Sequence, residues 1–106
     1  MTSEKVAEAA QVDISNNREQ NRYEIRQDDE LVGIADYMLN DGLITFTHTE
    51  VFPEFEGRGL ASRLVRHAMD EVRDDGDRKV LALCPYVKHW LQKHPDYLDL
   101  AVNAAR

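Results

Sequence analysis

Two glycines, Gly57 and Gly59, stand between a β-rich run that ends at Val51 and a helical run that begins at Leu60. The start of a helix carries backbone N–H groups without partners and about half a positive charge. Glycines let an anion approach that backbone with no Cβ in the way. The segment Glu56-Gly57-Arg58-Gly59-Leu60-Ala61-Ser62 therefore has the make-up of a diphosphate cradle, with Arg58 adding a charge-assisted contact. A plain glycine turn from strand to helix uses the same residues, and the loop alone leaves both readings open. It is not a nucleotide P-loop, because no Gly-Lys-Ser/Thr follows. Nor is it a dinucleotide fingerprint, which needs a third glycine and an acidic residue after the next strand.

Three further side chains have reactive chemistry. An imidazole exchanges protons near neutral pH, so His48 is the candidate general base. The inert alternative is a strand histidine on the wetter face of a sheet. Cys84 closes a short apolar run, where active-site groups gather in parallel α/β units. A thiol there is an acyl acceptor, an acid toward a leaving thiolate, or a small buried apolar residue. Tyr86, just past Pro85, donates to a thiolate or shields the core edge. Trp90 with Leu91 reads as packing. His67, His89 and His94 have no cysteine or carboxylate at metal-ligand spacing, so no metal site is expected.

The elements that must position these groups follow from periodicity. Tyr23 and Ile25 alternate with polar neighbours, as in a half-buried strand over 21–27. Leu31–Leu39 reads as a second strand, Asn40-Asp41-Gly42 as a hairpin turn, and Leu43–Val51 as a third strand rich in β-branched and aromatic residues. These three make an antiparallel meander. Leu60, Ala61, Leu64, Val65, Ala68, Met69 and Val72 fall at helical spacing, and Gly76 supplies the stop. Lys79–Cys84 predicts a buried strand parallel to the third, joined by a crossover through the helix. Val87–Lys93 predicts a short second helix, halted before Pro95, and Asp96–Leu100 is expected to pack back on the sheet. The fold class is α+β, an antiparallel meander continuing into a β-loop-α-β unit. Residues 1–19 read as a flexible tail, 20–102 as the domain and 103–106 as a frayed end.

In this order the motifs resemble the GCN5-related N-acetyltransferases, whose acetyl-CoA loop is Gln/Arg-x-x-Gly-x-Gly/Ala. Gly59 and Ala61 agree with that pattern; Glu56 departs from it. The likeness is closer to a very short branch of about a hundred residues. That branch carries "His-Thr-x-Val", "Leu-x-Cys-Pro-Tyr/Phe-Val" and "His-Pro-x-Tyr". This chain has His48-Thr49-Glu50-Val51, Leu83-Cys84-Pro85-Tyr86-Val87 and His94-Pro95-Asp96-Tyr97. The resemblance implies a minimal acyl-CoA N-acyltransferase fold that binds acetyl-CoA or coenzyme A. It implies acetyl transfer to an amine, either a small molecule or a lysine side chain, or else a non-catalytic acyl-CoA sensor. It also implies that backbone N–H groups of Glu50, Val51 and Phe52 face the pantetheine and carbonyl in a gap between splayed strands. Tyr86 is counted with the cofactor residues.

Bulk properties narrow the partners. At 106 residues there is room for one domain. A net charge of -7 argues against non-specific nucleic-acid binding, which needs a basic face. It does not exclude an anionic ligand held by a local nest of amides. The lone Cys84 cannot form an internal disulfide, which favours a reducing, cytoplasmic setting. No apolar run approaches the roughly 20 residues that span a bilayer, and Met1–Lys5 lacks the features of a secretory signal. An exposed edge strand over 21–27 would allow a weak homodimer; a monomer is the other expectation.

Overall fold

A computed structural model describes residues 11–102. Expectations for residues 1–10 and 103–106 lie outside the described residues. Five strands form one sheet in the order β1 (Val12–Asn17), β2 (Arg22–Gln27), β3 (Glu30–Asn40), β4 (Leu43–Val51) and β5 (Lys79–Ala82). The first four pair antiparallel, and β5 runs parallel to β4. Helix α1 (Leu60–Asp75) makes the crossover, and α2 (Pro85–Lys93) follows β5. Two 3-10 turns, Pro53–Phe55 and Pro95–Leu100, complete the chain path.

The meander, the parallel crossover and both helices agree with the expected pattern. Gly76 ends α1 with φ 72, and its N–H donates to Val72 O. Helix α2 begins earlier than expected because Pro85 takes its first position, where a missing N–H does no harm. Cys84 is therefore the residue that caps α2, not the last residue of a strand.

One expectation needs correcting. Val12–Asn17, assigned to the flexible tail, is a strand paired along its whole length with β2, from Val12↔Gln27 to Asn17↔Arg22. Its polar residues bond outward to tertiary partners. Tyr37 donates to Asn16 Oδ1 at 2.6 Å, and Asn17 Nδ2 donates to Glu24 at 3.0 Å. The edge of β2 proposed for self-association is thus already occupied by β1.

Helix α1 lays Leu64, Val65, Ala68 and Met69 onto one face of the sheet, against Tyr23, Ile25, Phe46 and Val80. Tyr23 marks that face, since its hydroxyl donates to Glu71 of α1 at 2.6 Å. Burial and the Glu71 carboxylate together push the Tyr23 phenol well above its ordinary range.

The opposite face carries a buried carboxylate. Glu24 is held by Asn17, by Arg22 at 2.9 Å and by Arg26 at 2.8 Å. Burial pushes its carboxyl up, but the hydrogen bonds from Asn17, Arg22 and Arg26 outweigh that and hold it below the usual carboxylate range. A depressed folded-state value stabilises the fold above the unfolded carboxyl range and is lost as pH falls through the folded value. Glu24→Gln should therefore lose about 1–3 kcal/mol at neutral pH and show a flatter decline in acid. Urea unfolding at neutral and acid pH checks both; an unchanged acid slope would remove Glu24 from the account.

Candidate coenzyme site

The loop from β4 to α1 is shaped by two left-handed glycines, Gly57 at φ 83 and Gly59 at φ 75. A Cβ at either would meet nothing within 4 Å, so backbone angle and not crowding demands glycine. Gly59 is the N-cap of α1 and no side chain caps the helix. The first bond at the helix start is Arg63 N to Gly59 O at 3.2 Å. Among the described residues, the amides of Gly57, Gly59, Leu60, Ala61 and Ser62 have no acceptor within hydrogen-bond distance, while that of Arg58 closes a loose turn over Glu56 and Gly57. The amide of Glu56 is engaged internally with Pro53 O. Arg58 lies 5.4 Å over the Phe55 ring at the loop's rim. A row of donors at a positive helix end, with no carboxylate cap of its own, suits a diphosphate.

The loop adjoins an opening in the sheet. β4 and β5 pair only over Leu43–Phe46 and Lys79–Ala82. Phe46 O then accepts from both Leu83 N and Cys84 N, at 3.0 and 2.9 Å, and the chain turns away into α2. Among the described residues, β4 has no strand partner on that side from Thr47 to Val51.

Amide direction along this stretch is fixed by the other neighbour. Phe52 N donates to Val32 O at 2.9 Å, in register with the pairs Glu50↔Ile34 and Asp36↔His48. Antiparallel ladders alternate, so His48, Glu50 and Phe52 turn their backbone groups toward β3. Thr49 and Val51 turn theirs into the gap. Of the three residues expected to offer gap-facing amides, Val51 does so, while Glu50 and Phe52 are engaged with β3. Thr49 takes the place the sequence reading gave to its neighbours.

A β-bulge causes the shift. The pairs Asp36↔His48 and Tyr37↔Phe46 leave Thr47 as the extra residue. Phe46, Thr49 and Val51 consequently share the α1 face, and His48 and Glu50 share the other. Cys84, 4% exposed, directs Sγ at Thr49 Oγ1 over 3.5 Å, so it borders the gap on the α1 side. His48 Nε2 lies 3.3 Å from Glu50 Oε1 on the solvent face. The two reactive candidates therefore flank the strand on opposite faces and do not form one pair. Tyr86, exposed at the start of α2, has its phenol pushed above its ordinary range by partial burial.

Behind the loop, Trp90 donates its indole N–H to Ser62 Oγ at 2.8 Å. The ring stacks on His94 at 3.9 Å and meets Tyr97 at 5.1 Å. His94 Nδ1 also contacts Trp90 O at 2.7 Å, a structural role. His67 is exposed, with its ring edge on Tyr23, and His89 is exposed. A solvent-open hollow of about 360 Å³ lies at the far end of the sheet, by Asn16, Tyr37, Ile44, Val72 and Arg78. It shares no residue with the glycine loop or the gap.

A sheet splayed beside an uncapped, glycine-led helix defines a class of protein. The family profile described as GCN5-related N-acetyl-transferase matches residues 22–100, and the chain belongs to that family. Among curated proteins it is similar to Protein NATD1 of Xenopus tropicalis, 27% identical over 96 residues and covering 86% of each chain. Protein NATD1 of Mus musculus is 26% identical over 91 residues, covering 81% of each. In fold it is similar to the ribosomal-protein-S18-alanine N-acetyltransferase of Escherichia coli, with TM-score 0.54 and 21% identity over 74% of this chain. It is also similar to the N-acetylglutamate synthase of Neisseria gonorrhoeae complexed with coenzyme A and N-acetyl-glutamate, with TM-score 0.57 and 18% identity over 83% of this chain. The chain spans about half the length of the first enzyme, 48%, and 22% of the second. Among the described residues no helix is long and apolar enough to cross a membrane.

Proposed function

We propose that the chain binds acetyl-CoA and transfers its acetyl group to an amine, a small molecule or a lysine side chain. The observation that carries this is the set of free amides at Gly57 and from Gly59 to Ser62 beside the strand gap. Bound there, acetyl-CoA supplies an acetyl group activated as a thioester: the amine nitrogen bonds to the carbonyl carbon, the C–S bond breaks, and free coenzyme A leaves. The loop amides hold the diphosphate, and Val51 and Thr49 offer N–H groups to the pantetheine and the carbonyl oxygen. His48, on the open face and contacting Glu50, takes the proton from the amine. Cys84, across the strand, and Tyr86, two residues on at the start of α2, are the acids available to the departing thiolate. Acyl transfer needs a base on the acceptor side and an acid on the leaving side, and the two faces of β4 divide the roles that way. A reducing cytoplasm suits the free Cys84.

Incubation with acetyl-CoA and a panel of amines, following thiol release, tests the reaction. His48→Ala should lower kcat by about 10²-fold or more, with coenzyme A affinity unchanged. Cys84→Ser should leave affinity intact and slow turnover less. Separation of His48 and Cys84 by the strand favours a second reading, a coenzyme A-holding module without chemistry. Coenzyme A binding without turnover on any amine selects it.

A further inference from the structure

We infer that Trp90 is a positioning residue for the diphosphate loop, acting through Ser62; this rests on the coenzyme A reading above. Trp90 is 3% exposed, and its one polar atom reaches Ser62 Oγ. An indole N–H is a donor only. The serine oxygen therefore serves as acceptor, and its own proton is left to donate, with no acceptor among the described residues. A serine in the first turn of a helix otherwise swings back onto a carbonyl one turn earlier. The bond from Trp90 opposes that swing and fixes the hydroxyl in the first turn of α1, the turn that has no side-chain cap.

The ring is held firmly for this purpose. His94 stacks on one face, Tyr97 meets its edge, and the Arg66 guanidinium lies 5.4 Å from its centroid. Trp90 belongs to α2, which Cys84 caps, while Ser62 is the third residue of α1. The same bond thus ties the helix that borders the strand gap to the helix that bears the anion donors. A charged ligand spanning both would feel any slack between them.

Titration calorimetry with coenzyme A, on the parent, Trp90→Phe, Ser62→Ala, Ser62→Thr and the Trp90→Phe/Ser62→Ala double variant, tests the inference, with a thermal melt of each. Ser62→Ala should weaken coenzyme A binding about tenfold, the loss of one hydrogen bond to a charged group. Trp90→Phe keeps the stacked ring and should weaken binding about threefold, with no further loss in the double variant than in Ser62→Ala. Ser62→Thr should bind like the parent. Parent affinity in folded Trp90→Phe, or losses that simply add, overturns the role of Trp90. If Trp90→Phe melts early, parent affinity in Ser62→Ala overturns it instead. Absence of binding by the parent fails the coenzyme reading itself, a different result from either.

Discussion

Gly59→Asp is expected to weaken coenzyme A binding by at least about a hundredfold while costing only about 1–2 kcal/mol of folding stability. The two effects come from the same atoms. Gly59 sits at φ 75, where aspartate is among the few non-glycine residues tolerated, at roughly 1–2 kcal/mol. The new carboxylate meets open space, since a Cβ there has no neighbour within 4 Å. It stands at an uncapped helix start, where a cap that replaces glycine contributes only about a few tenths of a kcal/mol and does not offset the strain. As a cap it takes the donors intended for the ligand and sets a negative charge against a diphosphate. Gly59→Asn separates these causes, because it shares the tolerance and the cap but lacks the charge; its loss should be smaller, about tenfold. Calorimetry for affinity and circular dichroism for the melt give the pair of readings. A folded aspartate variant with parent affinity would place the diphosphate somewhere other than this helix start.

How far such a site is legible in the sequence depends on which property is asked for. Helix α1 was plain, because seven apolar residues at helical spacing end at a glycine that takes φ 72. The β3–β4 hairpin was plain too, since Asp41-Gly42 is a turn signal and Gly42 takes φ 73. Strand β1 was not. Val12 and Ile14 give one alternation, and Asn16 and Asn17 read as part of a flexible tail because the partners of Asn16, Tyr37 and Glu71, lie 21 and 55 residues along the chain. Amide direction was lost for a different reason. Simple alternation puts Phe46 and His48 on one face, but the extra Thr47 moves His48 to the other. Nothing in Thr45–Thr49 marks that residue as the bulged one, since bulges answer to pairing across strands. The same slip is what separates His48 from Cys84 and makes Thr49 the second gap-facing donor. The Trp90–Ser62 bond, joining residues 28 apart, was equally hidden.

Gly33 ties fold and site together most tightly, and its substitution should damage both. Strand propensity favours alanine or valine over glycine in β3, yet Gly33→Ala is expected to lose about 1–3 kcal/mol and Gly33→Val more. A Cβ at Gly33 would stand 2.9 Å from Glu50 O, 3.0 Å from Ile25 Cγ2 and 3.2 Å from Val51 Cγ2. The nearest of these is a backbone carbonyl in a paired strand, so relief requires β4 itself to move at Glu50–Val51. That is the stretch whose Val51 amide faces the gap, directly in register with Gly33. A displacement of about 1 Å there can lower turnover by up to roughly 10²-fold, beyond what reduced stability explains. Gly42→Ala is the matched control: its Cβ meets nothing, its penalty is the φ of 73 alone, and it lies at the far end of β4. Both variants should lose stability by urea unfolding, but only Gly33→Ala should also lose coenzyme A affinity at temperatures where both remain folded. Equal affinities would mean that β4 absorbs the extra methyl without moving Val51, and the gap would then owe its shape to the bulge at Thr47 alone.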